Sequence, residues 1–145
     1  MKVKISKTKD KAILPTYGSS GAAGADLYAC LDRESQIIEK GETVLIGTGV
    51  RMAIPEGYVG LVYARSGLAS KRGLAPANKV GVIDSDYRGE ILVALYNQSS
   101  ETQTVRDGER IAQIVIAPFL HADFEESDLL DDTARGAGGF GSTGA

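Results

Sequence analysis

A chain of 145 residues, 43% hydrophobic and 24% charged, has the size and balance of one water-soluble domain with its own core. Its net charge of −3 excludes a general attraction to nucleic acid or to a membrane surface. One cysteine and one histidine exclude an internal disulfide and, within one chain, a zinc centre or a histidine-based triad.

Carboxylates, backbone donors and a hard cation remain as the means of any catalysis. The N-terminal Met-Lys-Val-Lys-Ile-Ser-Lys has no apolar leader, and no run is long enough to span a membrane, so a cytoplasmic protein is expected.

In chain order, Val3, Lys4 and Ile5 alternate as a short strand. Residues 15–24 are turn-rich and predicted as a loop, and 26–30 leave it as a strand that buries Cys30. A strand over 36–39 closes at Lys40 and Gly41. Residues 43–54 are β-rich, with Gly47 and Gly49 marking a bend or bulge. A turn at 55–57 leads to a strand over 58–63, then to a short helical turn within 65–72. Residues 74–80 read as extended, with Pro76 marking a sheet edge.

Val82 and Ile83 then run into Asp84 and Asp86, with Tyr87 directly after and Gly81 and Gly89 on either side. This composition predicts a strand entering a tight turn. Strands over 90–97 and 103–105 follow, and Asp107 and Gly108 make a strong turn signal. Residues 110–119 form the longest near-continuous apolar run, expected as a central strand buried on both faces.

No stretch before residue 120 sustains helical periodicity. Short strands punctuated by turns predict an all-β fold, a sandwich, jelly roll or barrel. Residues 1–120 are the expected core. Residues 121–145 read as a separate arm, with six acidic residues between 123 and 132 and a glycine-rich tail from 133 onward.

Several groups suit a charged ligand. Asp84 in its turn beside Tyr87 is either a positioned base next to a packing surface or part of a solvated β-turn. Arg65, Ser66 and Gly67 open the helical turn, as an anion site or as a plain turn with a surface arginine. Gln113 is a polar amide inside an apolar strand, so it bonds the backbone or faces a ligand. Asp26 aids a cation or caps a turn. The tail formally contains G-x-G-x-x-G at Gly136, Gly138 and Gly141. No strand feeds it and no lysine follows it, so it is neither a dinucleotide fingerprint nor a Walker loop. Its Arg135, Phe140, Ser142 and Thr143 nevertheless suit a polyphosphate carrying a base. The alternative is a disordered tail. The run 84–89 departs from a calcium loop, because Arg88 stands where an oxygen ligand is required.

Together these pieces resemble the trimeric dUTPases along nearly the whole chain. Five motifs stand in family order: Ala23-Gly-Ala-Asp-Leu-Tyr28, Arg65-Ser-Gly-Leu-Ala69, Gly81-Val-Ile-Asp-Ser-Asp-Tyr-Arg-Gly89, Gly108-Glu-Arg-Ile-Ala-Gln113 and Arg135-Gly-Ala-Gly-Gly-Phe-Gly-Ser-Thr143. Ala64 and Ala29 depart from the commoner proline and serine, at positions that carry no chemistry. The resemblance implies a β jelly roll assembled as a homotrimer, with active sites at subunit interfaces, that hydrolyses dUTP to dUMP and pyrophosphate with Mg²⁺. It implies that Asp84 activates the attacking water. Asn78, Gly81, Val82 and Ile83 would read uracil, and Tyr87 would pack under the deoxyribose. Arg65, Ser66, Gly67 and Gln113 would hold phosphates, with Asp26 near the metal. Arg135, Gly141, Ser142 and Thr143 would close on the γ end, with Phe140 over the base. The related dCTP deaminases and a nucleotide-binding protein without turnover are the competing readings. The Asn78–Tyr87 hairpin and the tail favour hydrolysis over deamination, and the presence of Asp84 argues against loss of turnover.

Overall fold

Twelve strands and one short helix are found among the described residues, 1–139 of the computed structural model. Every strand pairing is antiparallel. The largest sheet runs in the order β2 (Thr16–Tyr17), β3 (Ala25–Tyr28), β12 (Arg110–Pro118), β7 (Tyr58–Tyr63) and β9 (Val80–Ile83). A three-stranded sheet orders β5 (Thr43–Gly47), β10 (Leu92–Asn97) and β8 (Leu74–Pro76). Two ribbons complete the jelly roll: β1 (Lys4–Lys7) with β6 (Val50–Ala53), and β4 (Ser35–Ile38) with β11 (Gln103–Arg106).

Alternation explains which faces meet. In β10, Val93, Leu95 and Asn97 are buried while the residues between them are more exposed. Val93 and Leu95 pack with Leu27, Ile111 and Ile114 of the large sheet in a single core. Asn97 is fully buried, and its amide is satisfied on both sides. Nδ2 donates to the carbonyls of Ile38 (3.0 Å) and Glu101 (2.8 Å), and Oδ1 accepts from the Ser99 amide and hydroxyl.

Helix α1 (Ser66–Arg72) leaves β7 and stops at Gly73, which takes the left-handed conformation (φ 65°) and returns its N–H to the helix. Arg72 fastens the helix end to the sheet, donating to Gln103 Oε1 at 3.1 Å, to the Thr104 carbonyl at 2.5 Å and to Glu109. The Asp107 turn that starts β12 is tied to the N-terminal segment. Its Oδ1 accepts from the Leu31 amide at 2.7 Å and its Oδ2 from Lys11 Nζ at 3.0 Å. Partial burial pushes the Asp107 carboxyl up, but the Leu31 and Gly108 amides and Lys11 outweigh it and hold the group below the usual aspartate range.

Three expectations need correction. The 15–24 loop contains β2, because Thr16 and Tyr17 pair with Asp26 and Ala25. The stretch 74–80 is broken into β8 and β9 by a turn in which Lys79 takes φ 64°. β12 is central as expected, but it is not buried on both faces: Arg110 is exposed and Gln113 half-buried on the face away from the core. Ile111 and Ala112 are wholly buried, whereas residues 115–117 are half-buried. The break between β5 and β6 falls at the predicted glycines, and β8 lies at a sheet edge as Pro76 implied.

Candidate active site

The large sheet turns one face to the core, and its other face carries a row of side chains in lateral register. Thr16 pairs with Asp26, Asp26 with Gln113, Gln113 with Tyr63, and Tyr63 with Val80. Cross-strand partners project from the same face, so Asp26 and Gln113 are direct neighbours although they lie far apart in sequence. Gln113 Nε2 donates to the Ala64 carbonyl at 2.8 Å, at the end of β7. Gly24 leaves room for this amide, since any side-chain carbon there would collide with the Gln113 carboxamide.

Asp26 is 9% exposed, and a carboxylate so placed needs partners. Arg65 donates through Nε to Oδ1 at 2.6 Å and through Nη2 to Oδ2 at 3.4 Å. Arg110 Nη1 donates to the same Oδ2 at 3.3 Å. Asp26 therefore neither caps a turn nor offers a bare oxygen pair to a cation. Arg65 is the N-cap residue of α1 and makes no capping bond, since a guanidinium has no acceptor to offer the helix amides, and its donors go to Asp26 instead. Ser66 and Gly67 follow it, exposed, and nothing stands against Gly67.

The second group of residues lies at the other end of β9. Asp84 leaves that strand exposed, and its carbonyl accepts from the Tyr87 amide at 3.2 Å to close the turn. Arg88 Nη1 reinforces the turn by donating to the carbonyls of Ser85 (2.6 Å) and Tyr87 (2.9 Å). The Tyr87 ring folds back over Gly89, and its hydroxyl donates to the Glu90 carbonyl at 3.0 Å. Beside β9 lies a cavity of about 210 Å³ whose lining includes Leu45, Asn78, Gly81, Val82, Ile83 and Leu92. Asn78 reaches it from the β8–β9 turn, its Nδ2 lying close over Gly81. Apolar walls with backbone edges and one amide suit a flat polar heterocycle.

The sequence-predicted residues thus form two groups. Asp26, Arg65, Ser66, Gly67 and Gln113 gather at the Tyr63 end of the large sheet. Asn78, Gly81, Val82, Ile83, Asp84 and Tyr87 gather along β9 and its turn. From Gln113 to Asp84 is two strand spacings across and four residues along, roughly 16 Å. Arg135 lies in a turn of the arm, its Nε donating to the Gly138 carbonyl at 2.8 Å. Phe140, Gly141, Ser142 and Thr143 lie outside the described residues. No cluster of three or more acidic, histidine or cysteine side chains among the described residues could hold a metal by itself. Sequence reasoning missed Arg110, for which an arginine at the head of an apolar strand was the only signal.

Comparison with known proteins adds to this geometry. A family model described as dUTPase matches residues 10–144. A deoxyuridine 5'-triphosphate nucleotidohydrolase of Desulfitobacterium hafniense is 59% identical over 147 residues, which span 99% of this chain and 97% of that protein. One of the same name from Nautilia profundicola is 51% identical over 144 residues, 99% of each chain. Among solved structures, a dUTPase mutant of Staphylococcus bacteriophage 80alpha with dUpNHpp superposes with a TM-score of 0.90 at 27% identity, covering 99% of both chains. Among the described residues no helix is long and apolar enough to cross a membrane.

Proposed function

This chain belongs to the dUTPase family, and on that premise we propose how its residues hydrolyse dUTP to dUMP and pyrophosphate. The observation that carries the reading is the exposed Asp84 at the end of the strand whose flank forms the 210 Å³ cavity. Uracil occupies that cavity. Extended backbone at Val82 and Ile83 offers N–H and C=O groups at fixed spacing, as a pairing base would, and Asn78 adds an amide. Tyr87 packs under the deoxyribose and leaves no room for a 2′-hydroxyl.

The reaction follows from where the carboxylate stands. Asp84 accepts a proton from a water, the water oxygen bonds to the α-phosphorus, and the bond from that phosphorus to the bridging oxygen breaks. Pyrophosphate leaves in line with the attack. Ser66, Gly67, Gln113 and the Arg65 segment hold the phosphates, the exposed amides at the start of α1 serving as donors. Arg135, Gly141, Ser142 and Thr143 take the γ end, and Phe140 closes over the base.

Magnesium, a hard cation, would be held chiefly by the triphosphate, and Asp26 is the residue of this chain's phosphate face that would attend it. It would supply neutralisation of phosphate charge. A binding cage made of this chain alone does not fit, because both oxygens of Asp26 are taken by arginines.

The roughly 16 Å between Gln113 and Asp84 supports a site assembled from more than one chain. We therefore place the active sites between subunits of a homotrimer, each joining the β9 turn of one protomer to the Asp26–Gln113 group of another. The substrate belongs to the cytoplasmic nucleotide pool. Removing dUTP limits uracil in DNA, and the product dUMP feeds thymidylate synthesis.

Asp84→Asn tests the assignment directly. It is expected to keep dUTP binding and to lower turnover about 10²- to 10⁴-fold, and near-normal turnover would remove Asp84 from the role. An assay with Mg²⁺ across dUTP, dCTP, dTTP and UTP, reading pyrophosphate, phosphate and ammonia separately, tests the reaction. Pyrophosphate from dUTP alone is expected, and ammonia from dCTP would mark a deaminase instead.

A further inference from the structure

Strand β12 slips by one residue against β3. Gln113 pairs with Asp26 and Ala112 with Leu27, but Arg110 rather than Ile111 pairs with Tyr28. The extra residue is a β-bulge. It decides where Arg110 points. In regular alternation residues 111 and 113 share a face, and Arg110 would turn to the core side. With the bulge, Ile111 and Ala112 are both wholly buried, and Arg110 comes onto the face of Asp26, Tyr28 and Gln113.

The two arginines on Asp26 are not equivalent. Arg65 engages both carboxylate oxygens, at 2.6 Å and 3.4 Å, and its side chain is 26% exposed. Arg110 makes one longer bond, at 3.3 Å, and its side chain is 53% exposed. Among the described residues this is the one side-chain hydrogen bond Arg110 makes, so most of its five donors are not committed to Asp26. A buried carboxylate stripped of its partners is costly, but here Arg65 keeps Asp26 paired if Arg110 turns to another anion.

From this geometry we propose that Arg110 is a polyphosphate-binding residue of the site, turned onto it by the β12 bulge and seated on Asp26, while Arg65 serves chiefly to keep Asp26 paired. This rests on the assignment of the Asp26–Gln113 face to the phosphates. It adds a cation to that face and shifts the binding role from the Arg65 side chain to Arg110. A guanidinium meets a phosphate with two parallel N–H donors, which an ammonium cannot do.

The test is steady-state kinetics of Arg110→Gln and Arg110→Lys on dUTP, with dUMP as a competitive inhibitor that lacks the outer phosphates. Arg106→Gln, exposed on β11 and outside the site, is the control. Loss of a charged hydrogen-bond donor predicts a KM for dUTP raised about 10- to 100-fold in Arg110→Gln, a smaller rise in Arg110→Lys, and dUMP inhibition unchanged in both. Should Arg110→Gln not fold, Arg110→Lys decides, since it keeps a cation beside Asp26. A KM for dUTP within twofold of wild type in both variants, or in Arg110→Lys alone where Arg110→Gln does not fold, would overturn the proposal. So would equal weakening of dUTP and dUMP, the mark of a merely structural arginine. If the wild type itself released no pyrophosphate from dUTP, the functional reading would fail first, and the two failures stay distinct.

Discussion

Tyr87 is held by its own turn before any ligand arrives. Its hydroxyl is anchored on the Glu90 carbonyl and its ring lies over Gly89, with 42% of the residue still exposed. A ring fixed in this way is a rigid wall, and a rigid wall can discriminate by exclusion. Tyr87→Ala should therefore raise the kcat/KM for UTP relative to dUTP, by up to about 100-fold given the usual cost of admitting one hydroxyl. Parallel kinetics on the two nucleotides measure the ratio, and an unaltered ratio would remove the residue from sugar selection. Tyr87 and Asp84 were legible in the sequence because an apolar run stops abruptly at a carboxylate followed by an aromatic. Gln113 was legible because an amide interrupts an apolar strand. Arg110 was not, because one bulge reverses the face that alternation assigns it. Nor was the state of Asp26, whose partners lie 39 and 84 residues away along the chain. Among the described residues the bonds that close the turn come from Arg88 and the Tyr87 amide, with none from the Asp86 side chain.

Among the elements, strands with strong alternation announce themselves in the sequence, whereas a strand that exists through pairing alone carries no such signal. β2 is two residues long and exposed, and it exists because Thr16 and Tyr17 find β3. The β8–β9 break depends on one lysine in the left-handed region, a conformation that composition does not announce. The arm behaves differently from both. Residues 119–132 form no strand or helix, and the Arg135 guanidinium turns back on the Gly138 carbonyl. From Thr133 onward its composition is mostly glycine and small residues, and before that Leu120, Phe124, Leu129 and Leu130 stand exposed on this chain, so its ordering needs contacts from outside the chain, the ligand's among them. We expect a chain ending at Thr133 to keep the same oligomer by light scattering while kcat/KM for dUTP falls about 100-fold or more, the usual cost of losing groups that position a reacting phosphate. Unchanged kinetics in the truncated protein would refute the closing role of the arm.

For the whole molecule the decisive fact is that Gln113 and Asp84 stand two strands apart and four residues along the large sheet, roughly 16 Å from each other. The residues flanking the base cavity point to the same arrangement. Leu45, Val82 and Leu92 are 66%, 61% and 49% exposed in one chain, an apolar rim that another surface can cover. If each site takes Asp84 from one protomer and Gln113 from another, two crippled chains can repair each other. In co-expressed or co-refolded mixtures of Asp84→Asn and Gln113→Ala, a site is intact when its Asp84 comes from a Gln113→Ala chain and its Gln113 from an Asp84→Asn chain. Random assembly at equal amounts makes about a quarter of the sites whole. Pyrophosphate release from dUTP should then rise toward about a quarter of wild type, well above the mean of the two parents measured alone. A site built within one chain allows no such gain, because every chain in the mixture carries one defect. Activity no greater than that mean, in a mixture shown by mass spectrometry to contain mixed oligomers, would return the whole reaction to a single protomer.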